Sequence, residues 1–314
     1  MCNSLKRSKF ALYINLHPIN EMYMVRKCVL IALCLLSLLP VRSQSQVEVF
    51  MGADLKYGDT NFKRLYDVLL HLTPGVKWHI GNDWMVAGQV FVPIVKLGYQ
   101  ERDKMTRLNM AVVSKQIHFA KARQHLKVSA GLFGKERMGI DLRWMFPVND
   151  WLLLMAQAGL TQPFQLGTDF NGNSESDFGG KWTATGLAGL KFYLNRWDTE
   201  FQLTGGRYLY EDMGAQLDVM RHFPHCTVGL YAQLHERGSG RFSNRIYGGG
   251  FKVIVMLPPY KKSKRKFVVR PASNFRLTYN AQSNVESMQM YTTDPEENER
   301  QYPVDVPFGT GREK

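Results

Sequence analysis

The chain has little of what usually staples or anchors a protein. Of its four cysteines, Cys2, Cys28 and Cys34 fall within the first 43 residues and only Cys226 lies beyond them. With residues 1–43 removed no internal disulfide can form, so an exported chain must be held by a sizeable core or a closed sheet. No run after residue 43 approaches the roughly 20 apolar residues that a transmembrane helix needs. Catalytic signatures are missing too: G-x-S-x-G, H-E-x-x-H and the P-loop glycine motif do not occur. His222, His225 and Cys226 are neighbours but lack the paired spacing of a structural zinc site. No cofactor, metal or catalytic residue is therefore assigned, and the chain is not expected to be an enzyme.

What is present begins with an export signal. Met24, Val25, Arg26 and Lys27 form a short basic stretch, followed by the apolar run CVLIALCLLSLL at 28–39 and then Pro40, Val41, Arg42 and Ser43. This is the layout of a secretory signal peptide, with cleavage expected after Ser43 or Ser45. Residues 1–23 carry no element pattern, and Met24 is the expected true start. Cys34 follows the bulky Leu33, which disfavours a lipoprotein reading.

The remaining chain alternates. In MGAQLDVMRHFPHCTVGLYAQLHE (213–236), Ala215, Leu217 and Val219 alternate with Gln216 and Asp218, and Val228, Leu230, Ala232 and Leu234 with Tyr231, Gln233 and His235. Period two means strand. Twelve such runs are expected, at about 47–57, 69–80, 84–97, 107–119, 125–133, 138–146, 151–162, 181–194, 199–208, 212–222, 226–236 and 245–256. Their apolar sets include Val76, Trp78 and Ile80, then Ile140, Leu142, Trp144 and Phe146, then Ala184, Ala188, Leu190 and Phe192. The opposite faces carry Lys77, His79, Asp141, Arg143, Lys191, Glu200, Asp218, His235 and Lys252, which are read as polar residues lining a lumen. Mixed charges suit a narrow interior, where an unpaired charge is expensive. A soluble sandwich would alternate equally well, and a mean hydropathy of -0.26 fits either class.

Connection lengths separate the two. The links at 81–83, 120–124, 147–150, 195–198 and 223–225 are short and share one end, whereas the link at 163–180, rich in Gly, Asn, Ser and Asp, lies at the other. Short periplasmic turns, longer outer loops and an even strand count form the outer-membrane barrel pattern. Trp78, Trp84, Trp144, Trp151, Trp182, Phe192 and Trp197 stand near strand ends, as an interfacial aromatic girdle requires. The expected fold is an all-β, antiparallel up-and-down transmembrane barrel at 44–258, located in the bacterial outer membrane, followed by a C-terminal tail at 259–314 on the periplasmic side.

A spaced set of residues carries a family resemblance. Gly206, Arg207, Tyr208 and Leu209, then Asp212 to Ala215, Val219, Met220, Arg221 and Phe223, Val228 and Gly229, the stretch GSGRF at 238–242, and the strand ending Met256, Leu257 and Pro258 resemble the C-terminal barrel segment of the YjbH family. The resemblance covers about 200–260. It implies an outer-membrane barrel associated with exopolysaccharide production and export. The chain departs from the family in being short, since longer members carry a second barrel region, and in lacking the lipoprotein cysteine that many have.

Three features follow the last run. Lys261, Lys262, Lys264, Arg265, Lys266 and Arg270 make a basic surface, Phe275 to Tyr279 (FRLTY) reads as one short strand, and an acidic stretch with Asp294, Glu296, Glu297 and Glu299 comes after it. The basic run reads as a solvated anchor at an anionic membrane surface or as a docking site for an acidic polymer or partner protein. Removing 1–43, with six Lys/Arg and one Glu, lowers the formal charge from +13 to +8, but export excludes nucleic acid as a partner. Expected partners are outer-membrane lipid, an acidic polysaccharide and periplasmic export or assembly proteins. The function expected is a non-enzymatic outer-membrane component of exopolysaccharide or capsule production or export. An enzyme of the same membrane acting on lipid or glycan, and a structural or assembly barrel, stay open beside it.

Overall fold

Alternating β-branched, aromatic and aliphatic residues with turn residues every ten to fourteen positions leave the chain one way to satisfy its backbone, pairing strand to following strand. A computed structural model describes residues 45–58, 67–81, 83–97, 105–119, 123–168, 174–236, 245–260, 263, 265–280 and 288–297. The signal-peptide reading at 1–43 and the basic residues Lys261, Lys262 and Lys264 lie outside these. The strands are β1 (Ser45–Gly58), β2 (Asp67–Ile80), β3 (Trp84–Leu97), β4 (Thr106–Phe119), β5 (Gln124–Phe133), β6 (Arg137–Pro147), β7 (Leu152–Thr168), β8 (Ser174–Phe178), β9 (Thr183–Leu194), β10 (Thr199–Arg207), β11 (Met213–His222), β12 (Cys226–Glu236), β13 (Arg245–Met256), β14 (Phe267–Pro271) and β15 (Asn274–Asn280).

All of them belong to one sheet, ordered β14-β1-β2-β3-β4-β5-β6-β7-β9-β10-β11-β12-β13-β15, with β8 paired to β7 beside that path. Every pairing is antiparallel except β1 with β14, where Val47 to Met51 run alongside Phe267 to Pro271. Among the described residues no helix is long and apolar enough to cross a membrane.

The twelve alternating runs correspond to β1–β7 and β9–β13. Among the described residues, however, the sheet has fifteen strands: β15 is the short strand expected at 275–279, while β8 and β14 correct the expected layout. The stretch 163–180 is not all loop: β7 continues to Thr168 and folds back on β8, with Phe164 opposite Phe178. β14 and β15 take residues of the expected tail into the sheet. β14 lies on the free edge of β1 and β15 on the free edge of β13, and only Ala272 and Ser273 separate them. One short stretch of chain thus sits at both ends of the strand order. At the junction Ala272 N–H donates to Met51 O and Leu257 N–H to Ser273 O.

The short turns are built by local side chains. Asn149 Oδ1 accepts from the N–H groups of Trp151 (3.1 Å) and Leu152 (2.8 Å), which closes the β6–β7 turn. Between β9 and β10 a single 3₁₀ turn, Asn195–Trp197, ends at Asp198 in the left-handed region (φ 46°), and Tyr193 Oη donates to Asp198 Oδ1 at 2.7 Å.

Burial follows the alternation with an inverted sign. Along β11 and β12, Leu217 is 44% and Leu230 66% exposed, whereas Asp218 is 1% and His235 2%. Val76, Trp78, Ile140, Leu142, Leu190, Leu203, Val228 and Phe251 are exposed likewise, while Lys77, Asp141, Lys191 and Glu200 are buried. One face of the sheet is apolar and outward; the other is polar and covered. Trp78, Trp151 and Trp197 are exposed on the outward side, but Trp84 is not. It packs with Ile80 and Val113, under the Lys115 ammonium 5.0 Å from its ring.

Candidate functional site

The buried polar face divides into two halves. In the first, strands β9 to β13 neutralise their own charges. Lys191 Nζ on β9 donates to Glu200 Oε1 on β10 at 2.9 Å, a diagonal contact in the β9–β10 register. His222 on β11 stands between two partners, with Nε2 3.2 Å from Glu200 Oε2 and Nδ1 2.9 Å from Thr227 Oγ1. Asp218 accepts from Lys252 Nζ (2.6 Å) and from Gln216 Nε2 (2.7 Å), and Gln233 Nε2 donates to Gln216 Oε1 at 2.9 Å. Lys252 also lies 5.4 Å from the centre of the Tyr231 ring.

In the second half the charges are met by a different part of the chain. Residues 288–297 lie against the polar face as an irregular strap. Near the long-loop end, Met288 N–H donates to Asp212 Oδ2, Leu209 N–H to Gln289 O and Gly134 N–H to Thr292 O. Midway, Tyr291 is buried with its ring stacked on Phe133, centroids 5.1 Å apart. Its hydroxyl donates to Asp141 Oδ1 at 2.8 Å. Toward the short-turn end come three carboxylates. Asp294 and Glu296 meet Lys77 Nζ at 2.5 and 3.0 Å, Glu296 also meets Arg270 (2.7 Å), and Glu297 pairs with Arg143. Lys127 Nζ donates to Thr293 Oγ1 at 3.3 Å, and Arg276 to Glu297 O at 2.7 Å.

Two glycines make room for the strap. A Cβ on Gly159 would stand 1.7 Å from Tyr291 Oη, and one on Gly134 would stand 2.3 Å from Thr292 Oγ1. At Gly159 the phenol leaves no room for a side chain, whereas at Gly134 only the rotatable Thr292 hydroxyl stands in the way, its Cβ lying 3.5 Å off.

The carboxylates of the strap are held charged. Burial by itself would raise the Asp294 carboxyl, but Lys77 and then Lys127 overcome it and bring it to about 2. Burial acts on Glu296 in the same sense, and its hydrogen bonds from Arg270 together with the Lys77 charge bring it to about 2. The Tyr291 phenol is pushed well above its ordinary value by burial and by the neighbouring Asp141 charge.

All nine residues read as lumen-lining lie on this face, and eight of them are buried or carry the contacts just described; His79 is half-buried beside Lys77. His222, His225 and Cys226 do not converge: His222 is committed to Glu200 and Thr227, and the His225 ring stacks on Tyr260 at 3.9 Å. The basic run is split. Arg265 and Lys266 are exposed, but Arg270 is no docking surface, since it is bound between Glu48 Oε2 (2.5 Å) and Glu296. Arg270 alternates along β14, and that places it on the polar face.

The residues that sequence reasoning missed are Lys127, Tyr291 and the strap as a unit. One signal was legible: inward Lys77 and Arg143 outnumber Asp141 in the first half of the chain, which calls for a carboxylate from elsewhere, and Asp294, Glu296 and Glu297 are where the chain has them. A scan of protein-family models and a search of curated proteins both return no match to this chain.

Proposed function

We propose that the chain is an outer-membrane β-barrel, exported by its signal peptide, which serves exopolysaccharide or capsule production or export as a non-enzymatic component. The observation that carries the barrel reading is the sign of the alternation. A sheet that turns Leu217, Leu230 and Leu142 outward while covering Asp218, Glu200 and Asp141 suits a surrounding solvent of lipid and an interior that is polar. Soluble monomers rarely expose contiguous apolar surface on that scale. The seam supports closure: an odd number of strands alternating in direction brings one parallel pair together when a sheet meets itself, and β1 with β14 is such a pair.

The export role rests on the YjbH-like residues; those at 206–229 and 256–258 fall on β10 to β13 and the stretches beside them, and 238–242 lie outside the described residues. Within that reading the strap covers one half of the polar face, and the protein contributes contacts to a glycan and to periplasmic partners rather than a permanently open pore. Arg265 and Lys266, exposed next to the start of β14 at the short-turn end, offer a periplasmic surface to anionic lipid or to a partner protein. The non-enzymatic reading is supported by the one array of hydroxyl, imidazole and carboxylate described above. Thr227, His222 and Glu200 are all buried, and Glu200 is engaged by Lys191.

Fractionation with unboiled gels tests the barrel: the expected result is recovery in outer membranes with a heat-dependent shift in mobility, and recovery as a soluble periplasmic protein overturns it. Polysaccharide per cell in a deletion strain tests the role. A lower amount with intact membranes is expected, and an unchanged amount where the gene is expressed removes it.

A further inference from the structure

Resting on the barrel reading, we infer that the groove occupied by residues 288–297 is a binding path for a carboxylate-bearing polysaccharide, and that the segment is its built-in stand-in. The segment adds no strand to the sheet: the strand order runs from β14 to β15 without it. Its departure would leave every ladder intact, so its contacts are those of a bound ligand. Two kinds of group make them. A flat ring lies on Phe133 with its hydroxyl at Asp141 and Thr185, and a few residues on, three carboxylates meet Lys77, Arg270 and Arg143. A chain of uronic acids presents the same pair of features, sugar rings with apolar faces and hydroxyl edges, and carboxylates repeated along its length.

The receiving groups explain why an anion replaces the segment. Both carboxylates on Lys77 belong to the strap, and Lys77 is buried. With the strap gone, Lys77, Arg143 and Arg270 line a groove without the carboxylates that met them, and an entering polyanion restores those ion pairs, so exit of the strap favours entry of another polyanion. A neutral glycan offers the ring contacts without the charges, and a small inorganic anion offers a charge without the rings. Only a carboxylated glycan replaces both.

The groove can be locked. A Cβ at Gly134 stands 3.5 Å from Thr292 Cβ, within the range of disulfide-bonded pairs. The full-length protein carrying Gly134→Cys and Thr292→Cys, in a Cys226→Ser background, is titrated in detergent with fluorescent oligogalacturonate before and after reduction, with maltooligosaccharide of equal length as the neutral probe. The expected result is binding of oligogalacturonate to the reduced form, weakened about tenfold or more on oxidation and opposed by salt, with no matching response to maltooligosaccharide. Joint Asp294→Asn, Glu296→Gln and Glu297→Gln substitution, which loosens the strap without a cross-link, is expected to tighten it. Equal binding by oxidised and reduced protein, equal binding of the neutral probe, or no binding by either the reduced or the triply substituted protein overturns the inference. Mobility on unboiled gels keeps the two readings apart. A protein that shifts on heating yet treats both probes alike sinks this inference alone, whereas one recovered as soluble sinks the barrel reading.

Discussion

The two halves of the polar face solve one electrostatic problem in different ways. From β9 to β13 each buried cation has its carboxylate in the wall itself, Lys191 with Glu200 and Lys252 with Asp218. On β2, β5, β6 and β14 the cations Lys77, Lys127, Arg143 and Arg270 exceed the wall carboxylates that meet them, Asp141 and Glu48, and the balance arrives on the strap. A wall that is internally neutral is fixed once folded. A wall that borrows its counter-charges holds its partner by groups that another anion can replace.

The largest expected effect tests the self-sufficient half. Lys191→Met leaves Glu200, which is fully buried, without its ammonium, and breaking a buried pair in this way typically costs about 3–5 kcal/mol. Urea unfolding in lipid vesicles followed by tryptophan fluorescence should show the loss, and Lys191→Met with Glu200→Met should recover part of it. If the single substitution left the midpoint unchanged, the two halves would not differ as described.

A smaller effect is expected from the borrowed half, and in a different observable. Gly159→Ala puts a methyl where Tyr291 Oη sits, and overpacking of this kind costs about 1–3 kcal/mol. That strain falls on the strap rather than on the sheet. Cleavage after Glu296 by a glutamate-specific protease, slow in the parent protein because Glu296 is buried, should accelerate while the heat-dependent gel shift persists. Loss of the gel shift would mean that the strap is part of the wall.

Acid should separate the halves next. Asp294 and Glu296 sit at about 2, below their ordinary values of 3.8 and 4.5. Their contribution is therefore full above about pH 4.5 and is lost as the pH falls through about 2. The same cleavage site, probed with an acid-active protease, should stay protected at pH 4 and open toward pH 2. Release already at pH 5 would contradict this. The smallest effect belongs outside both halves: Lys181→Ala removes a solvent-exposed pair with Glu211, and no measurable change in the unfolding midpoint is expected.

The strands were legible because the outward and the covered positions differ so sharply in chemistry. The alternation at 84–97 and 226–236 predicts strands whose ends coincide with β3 and β12. It was weakest where runs are short. Phe267, Val269 and Pro271 alternate outward with Val268 and Arg270 inward, but five residues after a basic cluster do not stand out as a strand, and no local rule shows that they meet Val47. The strap was illegible for another reason. Met288, Gln289, Met290, Tyr291, Thr292 and Thr293 have no period, and their placement comes from charges and a ring-sized gap contributed by strands more than a hundred residues earlier, Lys77 and Gly159 among them.

The seam carries a consequence for the order of assembly. Every other neighbour pair along the main path joins strands that follow closely in the chain, so those contacts form by closing short loops. Val47 with Phe267 is the exception, and such a distant pairing is slow because a long loop must close before any contact rewards it. Until 267–280 docks, β1 and β13 are bare edges with unpaired N–H and C=O groups, open to strands of other molecules. The nascent sheet therefore needs shelter most in the interval before its last-made strands arrive.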